Sequence, residues 1–431
     1  MQPRRATMPS PSSPFSDTSR SGTPWLGFAI VGCGAAIAPL DFAVNMAFPA
    51  MTEAFALATA DIRWVAVCYV ITYGSLMLFC GVLGDRWGHL RVFRWGLWVS
   101  ALALGVCSVA PAYGWLLAGR VLQGIGVALT LSCAPALAMR LLGDGQRTRA
   151  LSIYGAMFAA AGLLAPFLGG LSMRYVGWSG VYGFRVPIVL LAVLCTPGLA
   201  RHLRAQTLSA PGQGNPSVSV MGLWQLMRRN ADFAGVNLAS VGVQFCSFTV
   251  ALSLPYALPA AGWSDVHSGA MLSLWALGVL AGSGLTPVLL RRMDLRGVGH
   301  VALLAMALGL TWAGALSMTQ AWPFMALALS LQGLGLGVFQ VAYAEQVVAT
   351  LPDSARGLSG SLTLVTRTVG IVGAAMIWLW LMDVLQTRAL AHGASSAQAI
   401  WAGTLGLMSW AAVLVWVMVF WRVVQVLFAS R

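Results

Sequence analysis

Asp41 sits in the middle of an apolar run, IAPLDFAVNMAFPAM (Ile37–Met51), at least two helical turns from either end of the segment that holds it. A charge at mid-bilayer costs about 3 kcal/mol or more, and acids at that depth face a partner or a cavity. Dryness favours the neutral carboxyl and water favours the ionised one, so a group with alternating hydration can load and unload a proton. Asn45 follows four residues on, which on an α-helix puts both on one face. Arg120 and Gln123, in GRVLQGIG (Gly119–Gly126), share a face of a second apolar run. A guanidinium keeps its proton, so Arg120 can pair with a carboxylate, bind an anion or tune a neighbour, and Asp41 is its natural partner. Asn237, Ser240, Gln244 and Ser247 recur at helical spacing as one polar stripe on an apolar run. Gln332, Gln340 and Tyr343 fall roughly on one face, and Arg367 shares a face with Thr363 and Gly370. Each of these polar groups also has a plain structural use, an interhelical hydrogen bond of ~0.6 kcal/mol. Arg185 is deep enough to need a partner that the sequence does not name, and Glu345 lies about one turn from a helix end, within reach of water.

The elements that must position these groups are membrane spans. The chain is 58% hydrophobic and 9% charged, against about a quarter charged in a soluble domain. All 25 basic residues are arginine. Without lysine there is no P-loop and no Schiff base, so ATP is not a partner by that route. The net charge of +13 does not point to nucleic acid, because the arginines are scattered in short loops between apolar runs. The seven cysteines lie in apolar runs without CxxC or Cys/His clusters, which argues against disulfides and metal.

Apolar segments of spanning length fall at 25–50, 62–84, 92–110, 113–139, 149–172 and 180–199, then at 233–257, 268–290, 298–318, 322–349, 357–384 and 399–428. The expected architecture is all-α and integral to the membrane. It comprises a disordered cytoplasmic tail (1–24), a six-helix bundle (25–199), a cytoplasmic linker (200–232) and a second six-helix bundle (233–431). With the first span entering from the cytoplasm, 19 arginines fall in tails and cytoplasmic loops. Only Arg63, Arg174 and Arg388 fall outside, which places both termini in the cytoplasm. LQGIG (Leu122–Gly126) recurs as LQGLG (Leu331–Gly335), 209 residues on. RALS (Arg149–Ser152) recurs as RGLS (Arg356–Ser359), 207 residues on. The nearly common offset makes the bundles pseudo-symmetric repeats, an arrangement that places a binding site between them near the midplane.

Several stretches resemble motifs of the major facilitator superfamily in that family's order. GVLGDRWGHLR (Gly81–Arg91) resembles its loop between helices 2 and 3, and GRVLQGIG its helix-4 motif. LDFAVNMAFP (Leu40–Pro49), GLLAPFLGG (Gly162–Gly170) and TRTVGIVGAA (Thr366–Ala375) are similar to motifs of its drug:proton antiporters and multidrug exporters. Ala165 stands where the helix-5 motif usually has Gly before Pro166. In WSGVYGFRVP (Trp178–Pro187), Ser179 and Arg185 stand where the family usually has Arg and Asn.

The resemblance implies a role in proton coupling for Asp41 and Arg120. It implies a substrate cavity lined from helices 1, 4, 7 and 10, with Asn45, Gln123, Asn237, Gln244, Gln332, Gln340 and Tyr343 as candidates beside Arg367. It implies a conformational latch built from Gly81, Gly84, Asp85, Arg86, Gly88 and Arg91, with Asp85 near the start of helix 11. It also implies that Gly162, Pro166, Gly169 and Gly170 form the helix-5 antiporter motif.

The expected activity is proton-coupled secondary transport, with export of small amphipathic or cationic compounds from a bacterium across its inner membrane. Protons serve as coupling ion, with no other cofactor; small-molecule substrate and lipid bilayer are the partners. An uptake symporter and a non-transporting membrane sensor are the alternatives. No HExxH, GxSxG or metal cluster points to an enzyme.

Overall fold

The computed structural model describes residues 24–58, 60–142, 146–205, 231–316, 322–350 and 359–429. The expected tail, most of the linker and most of the RGLS repeat lie outside these residues. The described chain is helical, with no strand. Among the described residues eleven helices are long and apolar enough to cross a membrane, or twelve if the pair Arg63–Met77 and Phe79–Trp87, bent by 50°, is one span.

The first span is not one α-helix. It runs as α1 (Pro24–Ala36), a 3₁₀ segment (Pro39–Ala47) and α2 (Phe48–Ala54). Two prolines explain the break. Pro39 and Pro49 have no N–H to offer the carbonyls of Ala35 and Asn45, four residues back. Ala38 N–H takes the Ala35 carbonyl instead, at 3.4 Å, and Phe48 N–H takes that of Asn45. The tighter winding holds for nine residues, long for this helix type.

The bent span is α3 (Arg63–Trp87); Gly88, at φ 91°, turns the chain into α4 (His89–Ser108). That positive φ requires glycine. Next come α5 (Tyr113–Arg140), α6 (Arg147–Tyr175), the short α7 (Gly180–Gly183) and α8 (Arg185–Ala205). The second half holds α9 (Ala231–Ala260), α10 (Asp265–Leu290), α11 (Leu295–Ala315), α12 (Trp322–Thr350), α13 (Ser359–Ala391) and α14 (Ser396–Ala429).

Within each half the helices pack as a bundle, and the repeated glycines show how. A Cβ on Gly124 would lie 2.9 Å from the Tyr69 carbonyl oxygen of α3, and one on Gly126 would strike Ser100 of α4. A Cβ on Gly333 would strike the Trp275 carbonyl of α10, and one on Gly335 would lie 2.6 Å from that of Ala302 in α11. The LQGxG segment of α5 therefore packs on α3 and α4 as that of α12 packs on α10 and α11. Small residues are what allow backbones to approach so closely without a hydrophobic drive inside lipid.

The halves meet most extensively along two seams, α6 against α10 and α3 against α13, with smaller contacts of the 3₁₀ segment and α2 on α9 and α10. Along the first, Gly170 lies on the Asp265 carbonyl and Gly269 on that of Pro166. Alternation of helix direction puts these contacts toward the face opposite the cytoplasmic-tail and linker ends. Thr52 and Tyr256 hydroxyls meet there at 3.1 Å, so that face is closed by contacts from both halves.

Candidate functional site

The 3₁₀ segment aims Asp41 into the first bundle. Its carboxylate meets Arg120 in a bidentate pair, with both nitrogen–oxygen distances 2.7 Å. Arg185 Nη1 donates to the same Oδ1 at 2.9 Å, and Gln123 Nε2 donates to it at 3.0 Å. Gln123 also accepts from Arg120 through Oε1, at 2.7 Å. Backbone carbonyls complete the cage: Arg120 Nε donates to Val65 and Arg185 Nε to Val181. The Arg120 guanidinium lies 4.3 Å from the centroid of Tyr69, and that of Arg185 lies 5.4 Å from Tyr182. Aromatic faces stabilise desolvated cations here. Both arginines are almost wholly buried, and the Asp41 side chain is 11% exposed.

This arrangement brings Asp41, Arg120 and Gln123 into contact and differs from two expectations. The first concerns Asn45. At three residues per 3₁₀ turn, positions four apart are about a third of a turn out of register. Asn45 shares the face of Phe42, not that of Asp41. Phe42 meets Trp275 of the other half, with ring centroids 6.4 Å apart, so this face looks across the divide. The second concerns how a dry Asp41 is accommodated. It is enclosed without losing its charge partners, because two guanidiniums surround it. Protonating it in this arrangement would strand two cations beside each other.

Arg185 is the partner the sequence left unnamed. A strongly charged residue replacing the family's usual Asn, just before Pro187, was the available signal. Its Nη2 is buried and has no hydrogen-bond partner among the described residues.

In the second half the polar stripe of α9 is buried as a row, but its bonds are neutral. Tyr343 donates to Asn237 Oδ1 at 3.0 Å and lies 3.0 Å from the Thr366 hydroxyl, which meets Ser240 at 3.1 Å. Gln332 accepts from Trp275 Nε1 and donates to Ser247 at 3.1 Å. Gln244 is packed against Gly370. Gln340 is half-buried, with no side-chain hydrogen bond to a described residue. Gln332 and Tyr343 thus serve different clusters, although their helical angle groups them. Thr366 and Trp275 were missed: a threonine and a tryptophan on an apolar helix carry no distinguishing pattern. Glu345 is exposed, in keeping with its place near a helix end.

The loop residues behave differently from the cavity candidates. Asp85 is 67% exposed and pairs with His89, 3.3 Å away. The residues before α13 lie outside the described chain, so the latch contact expected there is not observed. Gly84 packs α3 on Cys133 of α5, whereas a Cβ on Gly81 would meet nothing. In the helix-5 motif, a Cβ on Gly169 would lie 2.7 Å from the Ala43 carbonyl oxygen, and one on Gly162 would lie 3.6 Å from Pro39. This motif therefore carries both the 3₁₀ segment and, through Gly170 and Pro166, the seam with α10. Among the described residues no three His, Cys, Asp or Glu side chains gather as a metal site.

Two helical bundles of repeated packing, built of helices long and apolar enough to cross a membrane, define a polytopic membrane protein. Residues 25–375 match the Major Facilitator Superfamily, and the chain belongs to it. A methylenomycin A resistance protein of Bacillus subtilis is 33% identical over 38% of this chain, and the match spans only 36% of that relative. The puromycin resistance protein pur8 of Streptomyces alboniger is 27% identical over 92% of this chain and 91% of its own. The riboflavin transporter RibZ of Clostridioides difficile is 20% identical over 80% and 85%. Among solved structures, an inward-facing, unoccupied bacterial homologue of the lysosomal transporter Spinster superposes with TM-score 0.73 at 16% identity, covering 93% of this chain and 97% of that one. That likeness concerns the fold. The chain is a transporter of this superfamily and not an enzyme.

Proposed function

We propose that the protein is a proton-coupled exporter of small amphipathic compounds, working by alternating access in a bacterial inner membrane with both chain ends cytoplasmic. The observation that carries this reading is the placement of Asp41. It lies mid-span between two buried guanidiniums, next to Phe42, which meets Trp275 of the opposite bundle. Because protonation would strand two buried guanidiniums, Asp41 can load a proton only when water reaches the cluster. Proton uptake and opening are then one event, which is what coupling requires. Relatives described as resistance proteins support export. The far face, where Thr52 meets Tyr256 and Gly170 meets Asp265, suits a state that accepts cargo from the cytoplasm.

Moving one charge through 100 mV supplies about 2.3 kcal/mol, enough for a gradient of roughly fifty-fold. The test is flux in vesicles of known orientation under an imposed proton gradient, with compounds chosen by thermal-shift screening. Proton-driven movement out of the cytoplasmic side is expected, and the paired variant Asp41→Asn/Arg185→Gln should abolish it. Movement the other way would make the protein an uptake symporter. No proton-linked flux of any bound compound would remove the coupling reading.

A further inference from the structure

Arg367 is the deep charge that the Asp41 cluster does not use. It lies two turns into α13 from Ser359. Val365 and Val369, on the far side of the helix, are 45% and 52% exposed at the outer surface. Gly370, on the Arg367 side, is pressed onto the α9 backbone at Val241. Its neighbour Thr366 belongs to the Tyr343–Ser240 network, and Thr368 lies against Tyr73 of the opposite half. Tyr73 is within Coulomb reach of both Arg367 and Asp41. Arg367 is therefore turned inward, where the halves meet. It has no acidic partner within ion-pair distance among the described residues, and its buried Nε has no hydrogen-bond partner there. Arg185 Nη2 is in the same condition. Arg120 and Arg185 share the single carboxylate of Asp41 while Arg367 has none within ion-pair distance among the described residues, and cationic cargo would add to that imbalance.

We infer that the cargo is an amphipathic organic anion, whose carboxylate or comparable oxyanion is held by Arg367 at the bundle interface. This rests on the transport reading and names its substrate class. It departs from the cationic compounds expected from the sequence. A guanidinium suits this role because it is charged at every working pH and offers a planar fork that matches two oxygens of one oxyanion. Because Arg367 has no internal ion partner to lose, replacing it removes recognition without stranding a charge.

The full-length protein in detergent is titrated with three isosteric probes: 2-naphthoate, 2-naphthamide and 2-naphthylmethylammonium. The expected result is a saturable rise in melting temperature with naphthoate alone. Arg367→Gln should keep the unliganded melting temperature within about 2 °C and weaken naphthoate at least tenfold, with Arg367→Lys in between. If Arg367→Gln does not fold, Arg367→Lys and the probe comparison on the unaltered protein decide. Equal or better stabilisation by the amide or amine, a naphthoate response that survives Arg367→Gln, or no response to any probe would overturn the assignment. Phosphatidylglycerol titrated in place of naphthoate separates a lipid-headgroup site: a response to the lipid alone also overturns it. Failure here is separable from failure of the transport reading. Proton-driven flux of a cation would sink the anion assignment only, while naphthoate binding with no proton-linked flux would sink the coupling only.

Discussion

Gln123 and Gln332 stand 209 residues apart in equivalent LQGxG segments, yet they do different work. In the first half Gln123 binds a carboxylate and a guanidinium. In the second, Gln332 binds an indole and a hydroxyl. The glycines that follow them pack on corresponding helices in the two halves. Backbone packing has been kept in both repeats while the polar chemistry has separated, with charge concentrated in one half and neutral hydrogen bonds in the other. Packing constrains volume at a helix contact and is shared by any repeat of the fold. Charge inside a membrane is costly; the first half compensates it with an ion-paired cluster, whereas Arg367 of the second half has no acid within ion-pair distance among the described residues.

That contrast can be broken most severely at Asp41. Asp41→Asn leaves two buried guanidiniums uncompensated and is expected to cost about 3–5 kcal/mol. Its melting temperature in detergent should fall sharply, and adding Arg185→Gln should recover more than half of the loss. A double variant as unstable as the single one would show that charge balance does not organise the first half. Substitution by leucine at Gly124 and at Gly333 tests the shared packing. Each should lose about 1–3 kcal/mol by overpacking, and the losses should be similar; a large loss at one site alone would contradict the repeat.

Gln123→Leu should cost about 1.5–3 kcal/mol, because its bonds are to charged groups. Gln332→Leu should cost about 0.6 kcal/mol, the scale of neutral bonds between membrane helices. Urea or thermal unfolding of both variants side by side measures the difference, and equal losses would erase the distinction between the halves. The smallest effect is expected at Tyr343→Phe. It removes one hydroxyl from a network in which Asn237 also binds the Phe233 carbonyl and Thr366 also binds Ser240. A loss beyond about 1.7 kcal/mol, the upper end for single interhelical bonds, would mean that network is cooperative.

Much of this was legible in the residue order alone. Arg120 and Gln123 are three residues apart on a regular helix, so a periodicity argument placed both beside a buried acid. The same argument failed for Asn45, because Pro39 and Pro49 each remove a backbone donor and the segment between them winds at a different period. Gln332 and Tyr343 share a helix face but lie 11 residues apart along α12, so they meet α9 at different heights, Ser247 at one and Asn237 at the other. Arg185 was visible as a charge in need of a partner, but its partner lies 144 residues away and no local spacing could name it.

The sequence alone determined that this chain crosses a membrane many times, that its halves repeat and that a carboxylate lies at mid-span. Those properties follow from local composition and period, which hydrocarbon and helix geometry read directly. Only the tertiary structure decided that two arginines share that carboxylate, that Phe42 meets Trp275 of the other bundle and that Arg367 stands without an acid among the described residues. Coulomb compensation depends on distances between residues far apart in the chain, and those distances exist only once the helices are packed.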